Sequence, residues 1–224
     1  MLDIAPEKVA YSVKYGKQQL LEDSRLGFEF DSGEFGAGLK AGKVQRRKID
    51  EAYELVVGKV RRARNYCNEM TVPLVERNGK ERTVNLIVRA FDDGIAFRYE
   101  FPEQKALKDF VIMDELTEFA LTGDHKAWSI PYEAHFYEAL YEASPVSKLG
   151  WVSTPLTMET NDGLFLSIHE ANLTDYAAMN LIPKEGSMTL KTNLTPWSTG
   201  EKVFMKAPGV TPWRTMIVAE SAGD

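Results

Sequence analysis

The chain has 224 residues, a net charge of −6 and an isoelectric point near 5.3. That balance argues against nucleic acid or an anionic membrane as a partner. No run approaches the length of a transmembrane helix, and the lone Cys67 cannot form an internal disulfide. For 25.2 kDa, folded surfaces scale to about 10,000 Å² against about 36,000 Å² for the extended chain, enough burial for one self-sufficient core.

The start, MLDIAPEKVAY, carries no charged-then-apolar signal region. Lys8 to Tyr15 alternates, with Val9, Tyr11, Val13 and Tyr15 on one side, which predicts a strand. A turn at Gly16-Lys17 leads to Leu20-Leu21 and then Leu26–Phe30. Asp31 to Gly42 holds four glycines and reads as a loop. Strands are expected at Tyr53–Val60, Ala63–Leu74 and Thr83–Ala90, with turn signals at Gly58 and Asn78-Gly79.

From Val84 to Gln104 two alternating runs flank Asp92-Asp93-Gly94, a strong hairpin signal. Period two puts Leu86, Val88 and Ala90 on one face of the first arm. On the second arm it sets Ile95, Phe97, Tyr99 and Phe101 opposite Arg98 and Glu100.

Further strands are expected at Phe110–Met113, Glu118–Leu121, Ala127–Ile130, Leu164–His169, Met188–Thr192, Lys202–Met205 and Trp213–Val218. Tyr132 to Ala143 has helical spacing at Phe136, Ala139 and Leu140, and Asp175–Asn180 suits a helical turn capped by Thr174 or Asp175. Many short strands with Gly, Asn, Asp and Pro punctuation mean an all-β sandwich or barrel. No repeat or Pro/Ser-rich linker divides the chain.

Chemistry is sparse. Three histidines give no Ser/His/Asp set, and there is no zinc spacing or phosphate loop. Cys67 reads as a small buried hydrophobe. The basic clusters Arg46-Arg47-Lys48 and Arg61-Arg62 with Arg64 read as solvated edges, and Asp114, Glu115 and Glu118 as structural carboxylates with no shared site. Asn172-Leu173-Thr174 and Asn193-Leu194-Thr195 match the glycosylation pattern. Trp128, Trp151, Trp197 and Trp213 are candidate sugar platforms, with core or interdomain packing the plainer expectation for each. His169-Glu170 stands out, although neighbours on a strand point to opposite faces and cannot share a metal.

Several segments, in order, resemble the N-terminal domain of glycoside hydrolase family 97, a family of bacterial α-glucosidases and α-galactosidases. They are Arg64–Glu69, the hairpin VNLIVRAFDDGIAFRYEFPEQ, Asp114–Phe119, Ala127–Pro131, Thr154–Thr157, IHEANLTDYAAM from Ile168, and Pro212-Trp213-Arg214. The resemblance implies a large two-sheet antiparallel β-sandwich of the galactose mutarotase kind over residues 1–224. It also implies a non-catalytic domain whose (β/α)₈ barrel, holding the catalytic acid and base, would follow residue 224. It favours an irregular or short helical connection near Tyr132.

In the family the glutamate of the His-Glu-Ala motif helps bind calcium beside the catalytic carboxylates. Glu170 matches it, although Asn172 stands where a second Ala is frequent. The remaining calcium ligands would come from the barrel, leaving this chain a weak calcium binder at most. The resemblance also implies a periplasmic or secreted parent acting on carbohydrate, its signal trimmed away. A free-standing aldose epimerase and a carbohydrate-binding module are the alternative readings. The sugar cleaved, and whether configuration is retained or inverted, depend on residues outside the chain.

Overall fold

A computed structural model describes residues 1–5, 7–77, 79–133 and 138–223. Among these residues there is no α-helix, and the one helical element is a 3₁₀ turn at Val146–Lys148. One sheet dominates, with eleven strands. Its order is Glu142–Pro145, Lys126–Ser129, Leu156–Glu159, Phe165–Ala171, Trp213–Ala219, Gly94–Phe101, Thr83–Phe91, Arg62–Glu76 and Leu39–Ala41. Gln45–Glu54 shares the last edge, pairing Arg62–Glu76, and Gly209–Val210 pairs the end of Gly94–Phe101.

Three short antiparallel ladders complete the sandwich. They are Leu2–Ala5/Lys8–Tyr15/Gln18–Leu26, then Val203–Lys206/Asp109–Glu115/Phe28–Phe30/Gly33–Phe35, and Glu118–Ala120/Thr189–Leu194/Met179–Pro183/Val152–Ser153. The Leu21–Leu121 bridge ties two of the ladders together, and the Leu116 N–H to Gly27 carbonyl bond extends the pairing of Asp109–Glu115 with Phe28–Phe30. The hydrophobic core draws on every ladder. At one end it is aromatic, with the Phe28 ring 4.6 Å from Tyr99 and 5.5 Å from Phe101, and Phe30 5.5 Å from Phe110. Offset and edge contacts of this kind add to the burial itself.

The hairpin forms with Phe91 opposite Gly94, Val88 opposite Phe97 and Leu86 opposite Tyr99. Its loop is Asp92-Asp93, neither with positive φ. Gly94 therefore serves a different purpose from the turn glycine expected. A Cβ there would lie 2.3 Å from the Met216 carbonyl oxygen, so glycine lets Trp213–Ala219 close on the hairpin.

Four expectations are corrected. Asp31 to Gly42 contains two short strands, Gly33–Phe35 and Leu39–Ala41. The first is fastened by Arg82, which is 1% exposed, meets Glu76 at 2.6 Å, and donates to the carbonyls of Gly33 (2.8 Å) and Glu34 (2.7 Å), and the second pairs with residues 74–76. The strand expected at Tyr53–Val60 lies earlier, at Gln45–Glu54, where only Ile49 is buried. It has no hydrophobic period, and cross-strand pairs hold its register: Arg64 grips Asp50 through two 2.8 Å bonds, and Lys48 lies 4.5 Å from the Tyr66 ring centre. Val56 and Val57 at the hairpin tip are exposed, and the chain's surface is 12,638 Å², above the scaling value.

The helical turn at Asp175–Asn180 is absent, since Met179–Pro183 is a strand and Asn172 and Asp175 adopt positive φ. Glu142 and Ala143, within the helical spacing from Tyr132, belong to a strand, while Ala134–Tyr137 lie outside the described residues, as does Asn78 of the turn expected there.

Candidate functional site

Phe165–Ala171 and Trp213–Ala219 are neighbours in the large sheet, with Glu170 opposite Arg214. Alternation turns Leu166, Ile168 and Glu170 inward on one strand and Arg214, Met216 and Val218 inward on the other. From the facing layer comes Glu115. Its strand shifts register between Ile112 and Asp114, and Glu115 ends 1% exposed.

Arg214 bridges the layers. Its Nε donates to Glu115 Oε1 at 2.9 Å, Nη2 to Glu115 Oε2 at 2.5 Å and Nη1 to Glu170 Oε2 at 2.7 Å. Thr117 Oγ1 donates to Glu115 Oε1 at 2.8 Å and lies 2.8 Å from the Tyr99 hydroxyl, while Tyr176 donates to Glu115 Oε2 at 3.2 Å. The Met179 N–H donates to Glu170 Oε1 at 2.9 Å. The exposed segment Ala171–Asp175 makes this possible: its two left-handed residues, an Asn and an Asp that tolerate the conformation, turn the chain across to Met179–Pro183.

Two carboxylates against one guanidinium leave this buried group with one surplus negative charge. Burial opposes the charge on Arg214, yet Glu115, Tyr176 and Glu170 outweigh it and push its pKa up. Burial, then the charge of Glu115, raises the hydroxyls of Tyr99 and Tyr176, which therefore act as hydrogen-bonding groups and not as bases. The Arg214 and Glu115 side chains are sealed, whereas the Glu170 side chain retains 7% exposure and marks where the group meets the surface. No cluster of three or more His, Cys, Asp or Glu side chains suited to a metal exists among the described residues.

Sequence reasoning singled out Glu170 but passed over Arg214, and it set Glu115 aside as sharing no site. The signal was available: a charge at an inward position of an alternating strand. Asp114 and Glu118 stay outside, Glu118 pairing with Lys184 at 3.0 Å. His169 is exposed on the opposite face from Glu170. Burial raises the Cys67 thiol, in keeping with an inert side chain.

The tryptophans scatter. Trp128 is half-buried and stacks on Phe165, Trp151 is 5.1 Å from Tyr132, and Trp213 is buried under two arginines. Trp197, 62% exposed, sits 6.4 Å from exposed Phe204 on a concavity of about 530 Å³ that Tyr176 also lines.

The family profile for the glycosyl-hydrolase 97 N-terminal domain matches residues 2–224. The chain belongs to that family. A probable retaining α-galactosidase of Streptomyces bingchenggensis is 30% identical over 99% of this chain and 33% of its own length. A family 97 enzyme of Pseudoalteromonas sp. strain K8, solved with panose and with acarbose, is 34% identical with a TM-score of 0.94, over 99% of this chain and 34% of its own. A β-arabinopyranosidase structure superposes with a TM-score of 0.87 at 25% identity, covering 98% of this chain and 38% of its own. The family 97 domain thus spans about a third of the curated relatives it matches.

Proposed function

We propose that residues 1–224 act as one domain ahead of a (β/α)₈ catalytic barrel, in an enzyme that cleaves α-linked glucosides or galactosides in the periplasm or outside the cell. The observation that carries the reading is a family match running through residues 2–224 of a chain that covers a third of larger glycosidases. The two inward carboxylates, Glu115 and Glu170, are both engaged by Arg214, so the domain's part is to wall the cleft and to lend Glu170.

Glu170 suits one position in a calcium site. It presents oxygen, it stands at the solvent-facing edge of the buried group, and that group's surplus negative charge is what a bound cation would balance. Calcium, when bound, would supply positive charge beside the reacting bond. Arg214 and the Met179 N–H fix the carboxylate, and Glu115 holds Arg214 in turn. The other ligands belong to the barrel, because calcium takes six to eight oxygens and one carboxylate is far short.

The test compares this chain with the longer protein encoded by its gene on nitrophenyl α-glucoside and α-galactoside. Turnover is expected only in the longer protein, and Glu170→Gln there should lower both calcium affinity and rate. Turnover by the 224-residue chain that tracks the protein through purification would refute the reading.

A second reading, sugar binding by the domain itself, draws on the Trp197–Phe204 shelf. Oligosaccharide titration followed by tryptophan fluorescence, with Trp197→Ala as control, tests it. The epimerase alternative has no comparable footing, because His169 and Glu170 face opposite sides of the sheet.

A further inference from the structure

The outer face of the large sheet carries a trough of about 360 Å³ whose chemistry is separate from that of Glu170. Strand register sets Arg47 opposite Glu69, Glu69 opposite Arg89, Arg98 opposite Ile87 and Glu100 opposite Asn85. Trp213 packs with Ile87 and Ala96 in a small apolar cluster on this face. The guanidinium carbons of Arg89 and Arg98 stand 4.4 and 4.5 Å from the Trp213 ring centre.

The charges do not cancel. Glu69 accepts from Arg47 Nε at 2.6 Å and from Arg89 Nε at 2.8 Å, and Glu100 accepts from the Asn85 amide at 2.8 Å. Arg98 belongs to no ion pair among the described residues, and its buried Nε has no hydrogen-bond acceptor. Arg47, Arg89 and Arg98, with Arg46 also on the trough wall, meet only two carboxylates, so the trough carries excess positive charge on a protein whose net charge is −6. Burial, and then the nearby Arg89, disfavour the charged form of Arg98.

We propose that this trough binds a carboxylate, with Arg98 as the principal donor and Trp213 as the floor that holds its guanidinium flat. The planar fork of a guanidinium matches a carboxylate through two parallel N–H bonds, and an aromatic face fixes the fork's plane. A single negative charge balances Arg98. A phosphate or sulfate would bring a second charge against Glu69 and Glu100. The volume admits a small organic or sugar acid, and equally an Asp or Glu side chain presented by a packed protein surface. The site does not depend on the glycosidase reading.

The experiment follows arginine Nε–H resonances of the ¹⁵N-labelled chain during titration with sodium acetate and sodium D-glucuronate, against D-glucose and sodium chloride at matched ionic strength. The Arg98 signal should shift saturably with both carboxylates and stay still with glucose and chloride. Arg98→Lys, which keeps the charge and loses the fork, should weaken binding about tenfold or more, judged by a neighbouring reporter such as Arg89. Thr71→Asp, which adds a resident carboxylate to the trough wall, should weaken it as well and guards against misfolding of the first variant. A linear, unsaturated response, or unchanged affinity in a folded Arg98→Lys or Thr71→Asp protein, would overturn the proposal. Repeating the titration on the longer protein distinguishes the sources. A response retained there means a soluble acid, and an Arg98 signal already shifted and indifferent to acetate means a side chain in residence.

Discussion

Replacing Arg214 with Met leaves Glu115 and Glu170 inside the sandwich without their cation. Three bonds to ionised carboxylates are lost, at 2.9, 2.5 and 2.7 Å. At about 1.5–3 kcal/mol each, they sum to roughly 5–9 kcal/mol. That sum is an upper figure, because Met fills part of the volume with apolar surface. Breaking a buried pair by removing one partner costs about 3–5 kcal/mol, and we expect that range. For a domain of this size it corresponds to a melting point lower by roughly 6–20 °C. Urea unfolding should give a reduced midpoint with an unchanged slope. The double variant Arg214→Met/Glu115→Gln should be less destabilised than the sum of the singles by about 1 kcal/mol or more. A loss below about 1 kcal/mol for Arg214→Met, or simple additivity, would refute the view that the cluster is a sealed, mutually dependent unit.

Other outcomes follow from the same structure. Gly94→Ala should destabilise by about 1–3 kcal/mol or more in thermal melts, because its Cβ would meet the Met216 carbonyl at 2.3 Å with backbone on both sides. His125 is buried, and burial outweighs its polar neighbours to lower its pKa. Stability should therefore be full above the unfolded value of about 6.5 and fall as pH drops through the lower folded value, and His125→Gln should flatten that slope in urea titrations. Arg47 and Arg89 together overcome the burial of Glu69 and depress its pKa. Its contribution should persist above about pH 4.3 and disappear on further acidification, a dependence that Glu69→Gln should remove.

The fold was legible wherever one face of a strand met the core. Lys8–Tyr15, Thr83–Phe91 and Gly94–Phe101 alternate because one side of each packs into the main core with Phe28 or Leu26 and the other does not, so period two survives in the residues. Gln45–Glu54 was illegible for the opposite reason. With only Ile49 buried, it has no face to encode, and what holds it are partners on Arg62–Glu76 such as the Arg64–Asp50 pair. Gly33–Phe35 and Leu39–Ala41 are too short for a period to show, and the anchor of the first, Arg82, lies 48 and 49 positions from the carbonyls it binds.

The site was legible as separate words and not as one site. Glu170 lies 44 positions from Arg214, and Glu115 lies 99, so no local spacing joins them. Yet Asp114–Phe119 supplies Glu115 and Thr117, the run from Ile168 supplies Glu170, Tyr176 and Met179, and Pro212-Trp213-Arg214 supplies the guanidinium. The hairpin adds Tyr99 on the same side. The opposite parity of these strands builds the trough: Arg89 and Arg98 from the hairpin, Glu69 from Arg64–Glu69, and Trp213 beside Arg214. Successive residues on a strand face opposite ways, so one short motif can serve a buried anchor with its first parity and an outer surface with its second. Trp213-Arg214 does both, and its two side chains should separate experimentally. Arg214→Met should act on stability and on Glu170, whereas Trp213→Leu should leave the buried group intact and weaken carboxylate binding at Arg98.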